Sequence, residues 1–189
     1  SKSFRSRSTG IFIKIGFFET DDELKFQDEV KGNLLEQAEK ALDLLKTKYT
    51  QAIISYQDGS REETFTFPEE AVREALYNAI AHKDYSSGIP IQISVYPNKI
   101  IFWNEGQLPE NWTIEKLTQK HPSKPHNPDI ANTFFRAGYI ESWGRGTIKM
   151  INACKAHKIA PPIFSNIPPD FQVELIKYTD NGLKELGLK

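Results

Sequence analysis

Glu74, Asn78 and His82 recur at four-residue spacing within Arg73-Glu74-Ala75-Leu76-Tyr77-Asn78-Ala79-Ile80-Ala81-His82. On an α-helix, at ~100° per residue, they share one stripe. Val72, Leu76, Ala79 and Ile80 form a separate apolar stripe. Such a helix buries one side and aims a carboxylate, an amide and an imidazole along another. That set suits a magnesium–phosphate site. Magnesium takes oxygen ligands and keeps several waters, so one amide oxygen with phosphate oxygens suffices. A carboxylate one turn away orients or deprotonates an attacking water. The same spacing also fits an exposed polar face that meets only solvent.

Two glycine-bearing segments extend this chemistry. In Phe102-Trp103-Asn104-Glu105-Gly106-Gln107-Leu108-Pro109 a polar residue leaves a strand just ahead of a glycine. That lets a ligand approach the backbone closely, although a plain turn has the same text. In Glu141-Ser142-Trp143-Gly144-Arg145-Gly146-Thr147-Ile148 two glycines precede a helical pattern. Unpaired N–H groups at the positive end of a helix dipole hold anions, and a tight loop-to-helix joint is the alternative.

The elements that must position these residues follow from periodicity. Ile11–Phe18 alternates as a strand, and Glu19–Lys25 reads as an acidic loop. Asn33 with Glu36 forms a capping box before a helix carrying Leu35, Ala38, Leu42 and Leu45. Ala52–Tyr56 and Glu63–Phe67 flank an Asp58-Gly59 hairpin turn. A second helix begins near Pro68, capped by Thr66 with Glu69, and runs to about His82. Ile91–Tyr96 and Ile100–Asn104 form another hairpin. The proline-rich tract from Glu105 to Pro128 reads as loop with a short helix near Thr113–Leu117. Helices follow over Pro128–Arg136 and Gly146–His157, and a last strand over Phe171–Lys177. The class is α+β, with a mixed, mostly antiparallel sheet and helices on one face.

Composition bounds the function. The chain has 189 residues with 24 Lys+Arg against 25 Asp+Glu. A net charge of −1 argues against binding nucleic acid by bulk electrostatics. The 39% hydrophobic content supports a packed core, and the apolar runs are too short for a membrane span. The single Cys154 cannot form an internal disulfide and reads as an inert buried thiol, which fits a reducing cytoplasm. Trp103 and Trp143 flank the two glycine segments and read as packing residues, with base stacking as the alternative. Lys116, Lys120, Lys124, His121 and His126 make the long loop mildly basic, as a solvated lid would be. The leading strand either completes the sheet or pairs with another protomer.

Taken in order, these blocks resemble the GHKL (Bergerat) nucleotide-binding fold of DNA gyrase B subunits, MutL and histidine kinases. Glu74…Asn78 through His82 resembles its N box. Asn104–Gly106 stands where that fold has its adenine loop, and Gly144–Gly146 where it has a second glycine loop. Four blocks look like the branch labelled RecG-like C-terminal, or HATPase_c_4, found in bacterial transcriptional regulators. They are His82–Ser86, Asn104–Pro109, Asn127-Pro128-Asp129-Ile130-Ala131 and Ala137–Gly146. The resemblance implies a two-layer sandwich that binds ATP with Mg²⁺ and switches conformation or assembly. Glu74 would activate water, Asn78 would hold magnesium, and His82 would lie near the phosphates. Asn104 and Gly106 would meet adenine, Gly144, Arg145 and Gly146 would cradle phosphate, and residues 119–128 would form a lid. Asn104 replaces the family's Asp, and Leu108 replaces its second adenine-loop Gly. A degenerate pocket serving dimerisation or packing, or a slow ATPase, are the alternatives. No Walker A sequence is present, and helicase activity is not expected. The expected organisation is an N-terminal strand and linker arm over 1–32, the ATPase-like domain over 33–178 and a tail over 179–189. The chain, which opens at Ser1, reads as the middle-to-late part of a longer regulator. An AlbA/Schlafen-type domain would precede it, DNA would be bound by flanking domains, and the protein would form a homo-oligomer without membrane attachment.

Overall fold

The fold is taken from a computed structural model, which describes residues 11–50, 53–57, 60–140 and 143–177. Alternating Ile13, Ile15 and Phe17 form β1 (Ile13–Thr20), which turns back at once into β2 (Glu23–Val30). The expected acidic loop is therefore only a tight turn, and most of β2 was missed. Its residues Glu23–Gln27 are exposed, because β2 is an edge strand held by backbone pairing and blunted by charge.

The capping box forms as expected. Glu36 N–H donates to Asn33 Oδ1 at 3.0 Å, and Asn33 N–H donates to Glu36 Oε2 at 3.3 Å. Helix α1 (Leu34–Leu44) runs on into a π-turn over Leu45–Tyr49. There the Tyr49 hydroxyl reaches Asp28 Oδ2 at 2.6 Å, tying the turn to β2. Strands β3 (Ile53–Gln57) and β4 (Ser60–Thr64) form a separate two-stranded ribbon. Its second strand lies nearer the turn than expected, and the Asp58-Gly59 turn itself lies outside the described residues.

Helix α2 (Glu69–His82) starts at Pro68 without a side-chain cap, so the Thr66–Glu69 capping box is not the device used. Glu69 and Glu70 in the first turn complement the helix dipole instead. The buried stripe includes Val72, Ala75, Leu76, Ala79 and Ile80, and its alanines let the helix lie close to its neighbours. The hairpin β5 (Ile91–Val95) and β6 (Lys99–Glu105) follows, then the short α3 (Ile114–Leu117). Helix α4 (Pro128–Arg136) ends at Gly138 with φ +78°, and α5 (Gly146–Ala156) opens on the second glycine segment. Strand β7 (Ile163–Ile167) was not anticipated, since proline pairs bracket it and it too is an edge strand. Strand β8 (Asp170–Ile176) is the last strand expected.

The six-stranded sheet has the order β2-β1-β5-β6-β8-β7, and only β1 and β5 run parallel. Strand β1 thus completes the sheet from an interior position. Ile13, Ile15, Ile91, Ile93, Ile100, Phe102, Val173 and Leu175 face the helices and are buried. The result is the two-layer α+β sandwich expected. Strand alternation also carries Asn104 to the inner face, two residues past Phe102 and opposite Phe171, where the sheet ends beneath α2.

Candidate functional site

Four-residue spacing on α2 places Glu74, Asn78 and His82 along one wall of a single cleft. Asn104 and Gly106 at the end of β6, and Gly144 and Gly146 ahead of α5, line the same cleft. Residues widely separated in sequence therefore meet as the helical stripe implied. Arg145 does not line the cleft; it is the exposed N-cap residue of α5.

Asn104 is 2% exposed and donates through Nδ2 to the Glu105 carbonyl at 3.1 Å. Burial pushes the His82 imidazole down to about 4, and electrostatic interaction with His126 and His121 acts in the same direction. His82 is therefore neutral at neutral pH.

The glycines are packed against the protein's own polar atoms. A Cβ on Gly146 would overlap the Glu74 carboxylate, and one on Gly106 would overlap the His82 carbonyl. Gly144 has φ +66°, and a Cβ there would overlap the His121 carbonyl. Glu74 thus rests at the first residue of α5, where the helix dipole favours an anion.

A strap between α3 and α4 lines one side of the cleft. At one end the Thr147 hydroxyl donates to the Leu117 carbonyl at 2.5 Å. At the other, Asn127 Nδ2 donates to the Lys83 carbonyl at 2.7 Å and the Ala81 carbonyl at 3.1 Å. Between them His121 Nε2 lies 3.4 Å from Thr147 Oγ1. The His121 ring meets Trp112 edge-on at 5.0 Å. The cleft has a volume of about 100 Å³. Drug-sized ligand pockets hold about 300–1,000 Å³.

Behind the cleft the motif blocks are hydrogen-bonded to one another. Asp84 N–H donates to the Glu105 carbonyl at 2.8 Å, and Asn127 caps the C-terminus of α2. Lys83 is 1% exposed, and its Nζ donates to the Asp84 carbonyl at 2.9 Å and Ser87 Oγ at 3.2 Å. Burial lowers its pKa, opposed by the Glu105 and Asp84 charges. Lys83, Trp112 and Thr147 escaped sequence reasoning. The first looks like an ordinary helix-end cation, and Trp112 sits in a tract without periodicity. Trp143, expected to pack, is 73% exposed, since the tight turn at Gly144 holds it away from the core. Trp103 lies partly covered on the outer sheet face. Cys154 is buried, and that burial pushes its thiol up to about 11.

Asn78 and Glu74 offer hard oxygen donors of the kind Mg²⁺ takes beside phosphate, so the residues fit such a group chemically. Among the described residues no cluster of three or more His, Cys, Asp or Glu is poised for a metal. Phosphate oxygens and waters would complete the shell. At about 100 Å³ the cleft is smaller than a drug-sized ligand pocket, so a nucleotide would need it to widen.

The fold and cleft define an α+β sandwich with a ligand cleft between its central helix and the end of its sheet. Residues 88–175 match the family model described as "Putative ATP-dependent DNA helicase recG C-terminal". An ATPase-like domain family is thereby indicated for β5 to β8. Asn104, Gly106, Gly144, Arg145 and Gly146 lie within the match, while Glu74, Asn78 and His82 lie before it. The crystal structure of the DIP2311 protein from Corynebacterium diphtheriae is similar, with a TM-score of 0.75 and 22% identity. The similarity covers 90% of this chain and 35% of that one, and at this identity it is a likeness of fold. No curated protein matches the chain. Among the described residues no helix is long and apolar enough to cross a membrane.

Proposed function

We propose that this chain is a GHKL-type nucleotide-binding domain of a bacterial transcriptional regulator, taking ATP with Mg²⁺ and switching conformation or assembly on binding. The observation that carries this reading is the convergence of Glu74, Asn78 and His82 with the glycines ahead of α5 in one cleft. Asn78 would hold Mg²⁺, which neutralises phosphate charge when bound, and Asn104 would meet adenine. Phosphates would take the electropositive spot that Glu74 now occupies at α5, leaving Glu74 to orient water in a slow, secondary hydrolysis. Gly144 and Gly146 would let the phosphates approach the backbone, with Arg145 covering them from outside. A switch needs only differential affinity between two states, and release of the strap, held at both ends here, would give the second. An AlbA/Schlafen-type domain and the DNA contacts would lie outside this chain, in a cytoplasmic homo-oligomer.

Calorimetry with ATP and Mg²⁺ on the purified chain tests the reading. Binding heat that Asn78→Ala removes is the expected result; no heat and no thermal shift at millimolar nucleotide overturns it. The small volume and the self-filled glycines favour a second reading, a degenerate pocket that serves only packing or dimerisation. On that reading Asn78→Ala leaves nucleotide response and regulation unchanged in the full-length protein.

A further inference from the structure

We propose that the outer edge of β7 is where a second copy of this chain joins, the two β7 strands pairing antiparallel about Ser165. The sheet order ends at β7, and among the described residues nothing pairs with its far side. The two edges of the sheet differ in charge. Strand β2 carries Glu23, Lys25, Asp28 and Glu29, which blunt it. Strand β7, Ile163-Phe164-Ser165-Asn166-Ile167, carries no charged residue. Phe164 is buried and lines the cleft, so alternation turns Ile163, Ser165 and Ile167 to the outer face of the sheet. There Ile163 is 47% exposed and Ile167 is 74% exposed. On the same strand Asn166 Oδ1 is buried, yet it accepts no hydrogen bond among the described residues. This margin of the sheet is therefore not fully satisfied within one chain.

The strand is complementary to itself. Pairing Ser165 with Ser165 of the second copy sets Ile163 against Ile167 on the outer face, twice by symmetry, and Phe164 against Asn166 on the inner face. The other combination puts β7 of one copy on β2 of the next. It would set the isoleucines among the charges of β2 and leave a free edge at each end for open growth. The twofold arrangement closes instead. Prolines at 161, 162, 168 and 169 bracket β7 and confine the pairing to its five residues. An interface that small belongs to weak, reversible association. The join extends the sheet and does not depend on what the cleft binds, so it goes beyond the nucleotide reading.

Sedimentation velocity on the wild-type chain, at concentrations up to about 1 mM, should show a reversible monomer–dimer equilibrium. A first variant, Ile163→Lys with Ile167→Lys, puts like charges opposite each other and should weaken dimerisation by at least about tenfold. A second, Ile163→Lys with Ile167→Glu, puts opposite charges in the same two pairs and should bring it back to within about threefold of the wild type. Both positions are exposed, so both variants should keep the wild-type urea midpoint. A monomeric wild type overturns the inference, as does a first variant that dimerises undiminished or a second that stays monomeric. None of these outcomes touches the nucleotide reading, which the ATP calorimetry tests separately.

Discussion

At the scale of single residues, the contact between Gly146 and Glu74 makes a sharp demand. An alanine at 146 would put its methyl into the Glu74 carboxylate, so one of them must shift. Gly146→Ala should destabilise the chain by about 1–3 kcal/mol. Removing the obstructing carboxylate should recover part of that loss, so Gly146→Ala combined with Glu74→Ala should cost less than the two single changes added. Urea unfolding of all four proteins measures the coupling; strict additivity would mean the contact carries no energy. Glu74, Asn78 and His82 were legible because a helix repeats with the period of their spacing. Lys83 and Asn127 were not, since both donate to backbone carbonyls, Lys83 to Ser87 Oγ as well. Those that Asn127 meets lie at the end of α2, 44 and 46 residues away, and no local pattern encodes such a contact.

At the scale of elements, the ends of helices decide how firmly the cleft is framed. Asn33→Ala removes an acceptor for the first turn of α1 and should cost about 1 kcal/mol, read as a fall in the unfolding midpoint. Asn127→Ala leaves the Ala81 and Lys83 carbonyls without that side-chain partner and loosens one end of the strap, which the backbone N–H of residue 127 still ties to the Ala81 carbonyl at 3.0 Å. It should cost about 1–3 kcal/mol. It should also speed amide hydrogen exchange in residues 118–126 more than in β5 and β6; uniform acceleration would show that Asn127 supports the whole fold rather than the strap. Helices α2 and α4 were read with their observed bounds, because apolar periodicity and a leading proline mark them. Strands β2 and β7 were hidden for a shared reason. An edge strand is held by backbone pairing on one side only, so its side chains need not alternate between core and water.

At the scale of the whole molecule, stability becomes a readout of the cleft through His82. The imidazole titrates near 4 in the folded chain against its usual 6.5, because burial disfavours the charged form. The unfolded chain therefore binds this proton first as pH falls. The stability tied to neutral His82 is fully present above pH 6.5, declines between 6.5 and about 4, and is gone below. At 1.36 kcal/mol per pH unit, that window bounds the loss at about 3 kcal/mol. Asp28 and Asp84 have lowered pKa values, from side-chain hydrogen bonds with Lys48 and Ser86 respectively. Their stability is present above about 3.8 and lost below it, so their window lies under that of His82. Denaturant titrations at pH 7, 5.5 and 4.5 should show the midpoint falling with pH, and His82→Gln should flatten the slope. Opening the strap would rehydrate the imidazole and relax the shift. Phosphates bound in the cleft beside His82 should likewise raise its titration toward 6.5, because negative charge favours the imidazolium, whereas a ligand bound elsewhere should leave it near 4. Following the His82 ring resonances by NMR with and without Mg²⁺·ATP separates the two.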